Sequence, residues 1–160
     1  RKAGARVECD EPTIQMGEPM GHVNVSYDGP LQPFRVDGPL VPRLIDEIPI
    51  LAVLASQCDG ESVFRDAAEL RVKESDRIAT VAKALRAMGG DVEELPDGLV
   101  VNGPTPLHGA VIDADLDHRI AMAFAVAGLV ADGTTEILGA ETVASSYPAF
   151  EDDLGAIVEF

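Results

Sequence analysis

The sequence predicts a mixed α/β fold in which repeated strand–helix units pack around buried, parallel helices. The segments 43–55 and 118–131 are apolar on nearly all sides, which is typical of buried helices, whereas 75–89 is amphipathic. An Asp-Gly pair followed by a strand that ends in Ala also occurs twice, 73 residues apart, at 59–67 and 132–140. Helices inside and sheets outside fit this pattern better than a doubly wound sheet, whose helices keep a solvent side.

Composition limits the function. The chain has 160 residues, enough for one domain with a hydrophobic core. Its net charge of −16 argues against nucleic-acid binding, because no basic stripe is present to meet phosphates. We expect no signal peptide, because none opens the sequence, and the longest apolar run, 120–131, is too short to cross a bilayer. We therefore expect a cytoplasmic protein with no membrane partner.

In the first part of the chain, alternating polar and apolar residues predict three short strands, at 5–9, 22–27 and 34–36. Basic residues before a glycine predict that a helix ends within residues 1–4. Proline is tolerated only near the start of a helix, so Pro49 places the beginning of helix 43–55 near Asp46 or Glu47. Asp46 then lies at the N-terminal end of that helix.

The second part begins with a predicted strand at 62–67 and a helix at 75–89, with Ser75 as its N-cap and a Gly-Gly stop. Pro-Asp-Gly at 96–98 predicts a hairpin turn. The remaining predicted elements are strands 92–95, 99–102, 110–114 and 134–138 and helices 118–131 and 148–158.

The repeat divides the chain into three parts. Residues 1–36 resemble the end of a preceding unit, 37–103 form one βαβαββ unit, and 104–160 form a second, truncated unit. We expect all three to belong to one domain. An absent neighbouring unit would leave an apolar helix flank uncovered, which predicts self-association of the chain on its own.

Three predicted helix starts carry ionisable clusters, at 46–47, 73–77 and 117–119. Equivalent helix N-termini in a repeated architecture point the same way, so their dipoles should converge on one face and favour anions there. For 73–77 taken alone, a charged, solvated helix start that merely caps well is an equally good interpretation.

The side chains at these starts suit an enzyme that joins a hydroxyl to a phosphorylated or carboxylated partner. Two arginines could bind an anion at two points each, a lysine adds a point charge, and two carboxylates could exchange protons. These residues are Arg77, Arg119, Lys73, Asp46 and Glu74.

The sequence indicates neither a cofactor nor a metal. It contains no Walker loop and no Rossmann glycine fingerprint, so nucleotide-driven chemistry is not expected. His22, His108 and His118 are scattered, and no set of histidine, cysteine and carboxylate residues has the spacing of metal ligands.

Four stretches carry a resemblance to a known family. They are RLIDEIPILAVLA at 43–55, LRVKESDRIA at 70–79, LDHRIAMAFAVAGL at 116–129 and SSYPAFEDDL at 145–154. In this order and spacing they closely resemble the C-terminal part of the 5-enolpyruvylshikimate-3-phosphate (EPSP) synthases. The resemblance implies the inside-out barrel of the enolpyruvyl transferases, incomplete here, with an N-terminal partner domain of the same protein that completes the active site.

The resemblance also implies an activity. Those enzymes transfer the enolpyruvyl group of phosphoenolpyruvate to the 5-hydroxyl of shikimate 3-phosphate and release phosphate, without metal or cofactor. This step of aromatic amino acid synthesis is the glyphosate target. Asp46 matches the aspartate at the shikimate hydroxyls, Lys73 the lysine near the reacting hydroxyl, and Glu74 the acid/base group at the methylene carbon. Arg77 and Arg119 match the arginines that bind the phosphoenolpyruvate carboxylate.

The sequence departs from the family pattern in two regions. Ser145 and Ser146 stand before Tyr147 where many members carry a lysine that helps to bind phosphate, and Glu69 stands where some have asparagine. We expect little or no turnover from the chain alone, because half of the anion-binding shell is missing. The alternative is a non-catalytic anion-binding or structural domain derived from the same fold.

Overall fold

The computed structural model describes residues 3–27 and 29–158, which begin with five strands and continue as a mixture of helices and strands. The strands are β1 (Arg6–Cys9), β2 (Thr13–Gln15), β3 (Glu18–Met20), β4 (Val23–Ser26), β5 (Arg35–Val36), β6 (Gly60–Phe64), β7 (Asp91–Leu95), β8 (Gly98–Gly103), β9 (Val111–Asp113) and β10 (Glu136–Leu138). The helices are α1 (Val41–Leu44), α2 (Ile48–Ala55), α3 (Arg77–Ala87), α4 (His118–Gly128) and α5 (Phe150–Ile157). Short 3₁₀ helices lie at Gly38–Leu40, Ile45–Glu47, Ala68–Val72 and Ala140–Ser145.

The largest sheet has four strands in the order β5-β6-β8-β7. Strands β5 and β6 run parallel, with α1 and α2 in the connection between them, and β8 pairs antiparallel with both β6 and β7. A second strand–helix–strand connection joins β9 to its parallel partner β10 through α4. From β5 to β8 the element order is therefore strand, helix, strand, helix, strand, strand. The division of the chain at residues 36 and 103 stays a prediction.

Helices α2, α3 and α4 contact one another and contribute most of the hydrophobic core. Fully buried apolar side chains from these helices and from β6 include Ile48, Phe64, Ile78, Leu85 and Phe124. Burying a side chain of this size contributes about 1.5–3 kcal/mol. The predicted α/β fold built around buried helices is thus confirmed, and α3 is amphipathic as expected.

The two ends of α3 are set by local sequence. Asp76 is the N-cap, because its carboxylate accepts a backbone N–H from the first turn at 3.0 Å. The prediction that Ser75 is the N-cap is therefore wrong by one residue, although both residue types cap well. At the other end Gly89 has a φ of +87°, and the Gly90 N–H donates to the Leu85 carbonyl at 2.7 Å. This is the predicted glycine stop, in the form of a Schellman motif.

Other predicted elements differ in their ends. The helical stretch 43–55 is interrupted at Leu44, where φ is −128°, so Asp46 lies in the 3₁₀ turn directly before α2. Helix α4 ends at Gly128, earlier than predicted, because 3₁₀-type hydrogen bonds tighten its last turn. Strands β2 and β3 were not predicted, since all of their residues are exposed and no buried side marks them.

Strands β1 to β4 form two exposed antiparallel pairs, β1–β4 and β2–β3, without a fully buried residue. The helix end predicted within residues 1–4 falls partly on residues 1 and 2, which lie outside the described residues. Across the described residues, every helix is too short or too polar to cross a bilayer.

Candidate active site

The N-terminal ends of α2, α3 and α4 meet at one place, which we call the helix mouth. Asp46 and Glu47 lie in the turn before α2, Lys73 and Glu74 precede α3, and Asp117 is the N-cap of α4. Two side-chain hydrogen bonds join the three ends, and their partners are 31 and 40 positions apart in the sequence. The positive ends of three helix dipoles therefore share one region, as the sequence predicts.

A network of ion pairs fills the helix mouth. Its members, here called the charged cluster, are Asp46, Glu47, Glu69, Lys73, Glu74, Arg77, Asp117 and Arg119. Carboxylates outnumber cations in this cluster, so it carries a net negative charge even though the helix dipoles point their positive ends at it.

Arg77 is the centre of the charged cluster, and only 1% of its side chain is exposed. One edge of its guanidinium faces Asp117, with Nε donating to Oδ2 at 2.7 Å and Nη2 to Oδ1 at 3.3 Å. On the adjacent edge, Nη1 donates to Asp46 Oδ1 at 2.9 Å and Nη2 to Glu74 Oε2 at 2.5 Å. A planar group with five donors can serve three carboxylates at once, which a lysine could not do.

Both partners of the buried pair remain charged. Burial would lower the pKa of Arg77, but the hydrogen bond to Asp117 and the charges of Asp117, Glu74 and Asp46 raise it above its ordinary value. Burial would likewise raise the pKa of Asp117, but the hydrogen bond and charge of Arg77 hold it below 3.8. Mutual pairing thus outweighs the desolvation of each charge.

Lys73 is tied to two carboxylates. Its Nζ lies 2.9 Å from Glu69 Oε1 and 3.6 Å from Asp46 Oδ1. The hydrogen bond to Glu69, together with the charge of Asp46, raises the pKa of Lys73 above its ordinary 10.5. Lys73 is therefore a cation at neutral pH and not a base. Glu69, the departure from the family pattern, is its salt-bridge partner.

Arg119 lies at the edge of the charged cluster, with 32% of its side chain exposed. Its Nη1 donates to the Asp46 carbonyl at 3.0 Å and to Glu47 Oε1 at 2.9 Å. Its Nε and Nη2 donate to none of the residues that the structure describes. A cavity of about 180 Å³ adjoins it, with Met122 and Phe150 in the wall. Arg119 therefore keeps donors for an anion, whereas those of Arg77 are directed at carboxylates.

The structure brings together all the side chains that the sequence singled out, namely Asp46, Lys73, Glu74, Arg77 and Arg119. Ser145 is not among them, since its hydroxyl donates to the Thr142 carbonyl. No group of histidine, cysteine and acidic side chains in residues 3–27 and 29–158 has the arrangement of a metal site.

Sequence reasoning placed Asp117 and Ser75 at helix starts but predicted neither their burial nor their contact. Asp117 is fully buried, and Ser75 donates to its Oδ2 at 3.1 Å. In the sequence, the run DLDHR places Asp117 only in an ionisable cluster at a helix start, a position that is usually solvated. Its burial depends on a partner 40 residues away and leaves no local signal.

The Asp117 pair predicts a pH dependence of stability. Because the folded state lowers the pKa of Asp117, its contribution is complete above the usual value of 3.8 and is lost as the pH falls through the folded-state pKa. We expect the difference in unfolding free energy between the chain and Asp117→Asn to be constant from pH 7 to 5. Below about pH 4 it should shrink, by at most about 1.4 kcal/mol per pH unit.

Urea unfolding of both proteins at a series of pH values measures that difference. The effect of general charge repulsion on stability is common to both proteins, so it cancels in the difference. Asp97→Asn is a matched control, because Asp97 also has a lowered pKa, from the Asp66 backbone N–H and from Arg65, but lies outside the charged cluster. A difference for Asp117→Asn that does not change between pH 6 and pH 3 would contradict the assignment.

The fold described above is that of the enolpyruvyl transferases. The EPSP synthase of Acinetobacter baumannii superposes with a TM-score of 0.91 at 37% identity, covering 96% of this chain and 36% of that one. The enolpyruvyl transferase NikO from Streptomyces tendae shares the fold, with a TM-score of 0.76 at 23% identity over 98% of this chain and 33% of its own.

Within that class, the family model of EPSP synthase (3-phosphoshikimate 1-carboxyvinyltransferase) matches residues 1–154. The chain belongs to the EPSP synthase family. Curated relatives of that name from Synechococcus sp. (strain WH7803) and Alkaliphilus oremlandii are 49% and 50% identical over 154 residues. The matches cover 96% of this chain but only 35% and 36% of the relatives, so the chain spans about a third of their length.

Proposed function

We propose that this chain forms part of the active site of an enzyme that transfers the enolpyruvyl group of phosphoenolpyruvate to the 5-hydroxyl of shikimate 3-phosphate, with release of phosphate. One observation carries the proposal. At the helix mouth two half-exposed carboxylates, Asp46 and Glu74, share the buried guanidinium of Arg77 and lie beside Lys73 and Arg119.

The reaction requires proton transfer at two positions. The hydroxyl oxygen bonds to C2 of phosphoenolpyruvate and loses its proton, while C3 gains one, which gives a tetrahedral ketal. The C2–O bond to phosphate then breaks as C3 returns a proton. We assign Asp46 and Lys73 to the hydroxyl, as acceptor and neighbouring cation, and Glu74 to the proton at C3.

The two carboxylates are oriented and yet accessible. Asp46 and Glu74 have 43% and 50% of their side chains exposed, and each uses one oxygen to accept from Arg77. Asp46 Oδ2 and Glu74 Oε1 accept from none of the described residues. A carboxylate fixed through one oxygen and open at the other is what positioned acid/base catalysis needs.

The arginines suit the carboxylate of phosphoenolpyruvate. Arg119 offers Nε and Nη2, two donors at the spacing of a carboxylate. At Arg77, Asp117 is fully buried, so a substrate carboxylate gains access only by replacing Glu74 or Asp46 on the edge formed by Nη1 and Nη2. We assign both arginines to this role.

The excess of carboxylates in the charged cluster means that two anionic substrates need further positive charge. We propose that this charge comes from the N-terminal domain of the same protein, the part of the family's enzymes that the chain does not span. The same excess counts against a stand-alone anion-binding domain, because the cluster alone would repel a phosphate dianion.

A hybrid protein tests the proposal. The chain replaces the matching residues of the Alkaliphilus oremlandii relative, and phosphate release is measured with each substrate alone and with both. We expect release only with both, and a loss of about 10²-fold in kcat/KM for Arg119→Ala, as expected from one or two charge-assisted hydrogen bonds. A folded hybrid that binds both substrates but releases no phosphate would contradict the proposal.

We also propose that the protein is cytoplasmic, that glyphosate inhibits it, and that the chain alone self-associates. Self-association is supported by an open apolar surface between α2 and α4, formed by Ile50, Leu51, Leu54, Val126 and Val130. Such a surface favours contact with a second copy when nothing else covers it. Sedimentation of the chain and of a Leu54→Glu variant would show whether this surface is responsible.

A further inference from the structure

Asp117 connects two helix starts inside the protein. It is fully buried and accepts from the Arg77 guanidinium, from the Ser75 hydroxyl at 3.1 Å and from the Arg119 backbone N–H at 2.9 Å. A single carboxylate thus caps α4 and holds the residues that begin α3. Ser75, itself only 6% exposed, uses its hydroxyl for this contact.

The backbone before Asp117 is held in an uncommon conformation. Asp115 and Leu116 have φ values of +52° and +55°, and the Asp117 N–H donates to the Ala114 carbonyl at 2.9 Å. Two successive left-handed residues in such a turn favour asparagine and glycine, and a leucine there is strained. Strain of this kind persists where the surrounding structure fixes it, and it clusters at functional sites.

The geometry of the Arg77–Asp117 pair determines what Arg77 presents to the helix mouth. Asp117 takes the edge formed by Nε and Nη2, and the edge formed by Nη1 and Nη2 is left toward Asp46 and Glu74. A guanidinium is planar and rigid, so fixing one edge fixes the direction of the other. Without Asp117, Arg77 could rotate, and the edge formed by Nη1 and Nη2 would lose its orientation.

We propose that Asp117, supported by Ser75, is a positioning residue that orients Arg77 so that the edge formed by Nη1 and Nη2 meets the carboxylate of phosphoenolpyruvate. The inference rests on the proposed function and adds two residues to it that touch no substrate. It predicts a selective effect, because Asp46 also has Lys73 as a partner, whereas Asp117 is the fully buried carboxylate that holds the guanidinium of Arg77 from behind.

Two substitutions, one isosteric and one to a smaller side chain, test the positioning role of Asp117, and a third substitution is the matched control. Asp117→Asn keeps an acceptor for the cap but turns a donor toward Arg77, and Ser75→Ala removes one hydrogen bond from Asp117. Asp97→Asn is the control, since it also weakens an arginine–aspartate pair, with Arg65, outside the charged cluster. Each is made in the chain and in the hybrid protein.

The first readout is the Arg77 Nε–H resonance of the ¹⁵N-labelled chain, identified by its loss in Arg77→Lys. We expect slow exchange with solvent in the chain and in Asp97→Asn, and at least about tenfold faster exchange in Asp117→Asn. The second is steady-state kinetics of the hybrid. For phosphoenolpyruvate we expect KM to rise about 10- to 100-fold in Asp117→Asn, and about two- to tenfold in Ser75→Ala. The KM for shikimate 3-phosphate should stay within about twofold.

Three results for Asp117→Asn would each overturn the proposal. They are equal rises in both KM values, a fall in kcat alone, and an unchanged exchange rate of the Arg77 Nε–H. If Asp117→Asn does not fold, Ser75→Ala decides by the same criteria. The hybrid could lack turnover while the Arg77 Nε–H of the chain still exchanges faster in Asp117→Asn. That result would count against the proposed function and not against the Asp117–Arg77 contact.

Discussion

Replacing Arg77 by methionine should lower the free energy of unfolding by about 3–5 kcal/mol, because the buried carboxylate of Asp117 would be left without its cation. Two further carboxylates, Asp46 and Glu74, would then face each other without a shared partner. A domain of this size is stable by only about 5–15 kcal/mol, so the variant should be close to unfolding. Urea denaturation followed by circular dichroism measures the change.

Arg71→Met is the matched control for that experiment. Arg71 also pairs with two carboxylates, Asp76 and Glu94, but 28% of its side chain is exposed. Exposed ion pairs contribute about 0–1 kcal/mol each, so the loss should be clearly smaller. Equal losses for the two variants would show that the charged cluster is not a buried network in solution.

Replacing Glu74 by glutamine should reduce kcat of the hybrid protein by about 10²–10⁴-fold, the usual contribution of a positioned acid/base group. The amide keeps the shape of the side chain and an oxygen that accepts from Arg77, but it cannot carry the proton. Half of the Glu74 side chain is exposed, so unfolding should change by no more than about 0.5 kcal/mol.

Glu69→Gln separates proton transfer from simple charge removal. Glu69 is another carboxylate of the charged cluster, and it pairs with Lys73 and not with Arg77. Its loss removes the same charge from the region without removing the assigned acid, so we expect kcat to fall by less than about tenfold. If the two variants lose kcat equally, Glu74 has only an electrostatic effect and the assignment is wrong.

Much of the helix mouth could be predicted because its signals are local. Apolar residues on all sides predict that α2 and α4 are buried, and the charged residues precede each helix by a few positions. Repetition then predicts that the helix starts meet, which the Arg77–Asp46 and Arg119–Asp46 contacts confirm. The resemblance of four short motifs predicts the family, which the comparisons confirm.

What the sequence could not supply depends on contacts between distant residues. Ser75 and Asp76 are both good N-caps, and the choice between them is decided by Asp117, 42 residues from Ser75, which takes the serine hydroxyl. Arg77 was expected to be available to anions. Its burial, and its saturation by three carboxylates, follow only from the way three helices pack.

The most direct test of the central claim, that this chain supplies one part of a divided active site, compares three proteins in one phosphate-release assay. They are the chain alone, the N-terminal segment of the Alkaliphilus oremlandii relative alone, and the hybrid that joins them. We predict turnover with phosphoenolpyruvate and shikimate 3-phosphate for the hybrid only. Turnover by the chain alone at a rate near that of the hybrid would contradict the account.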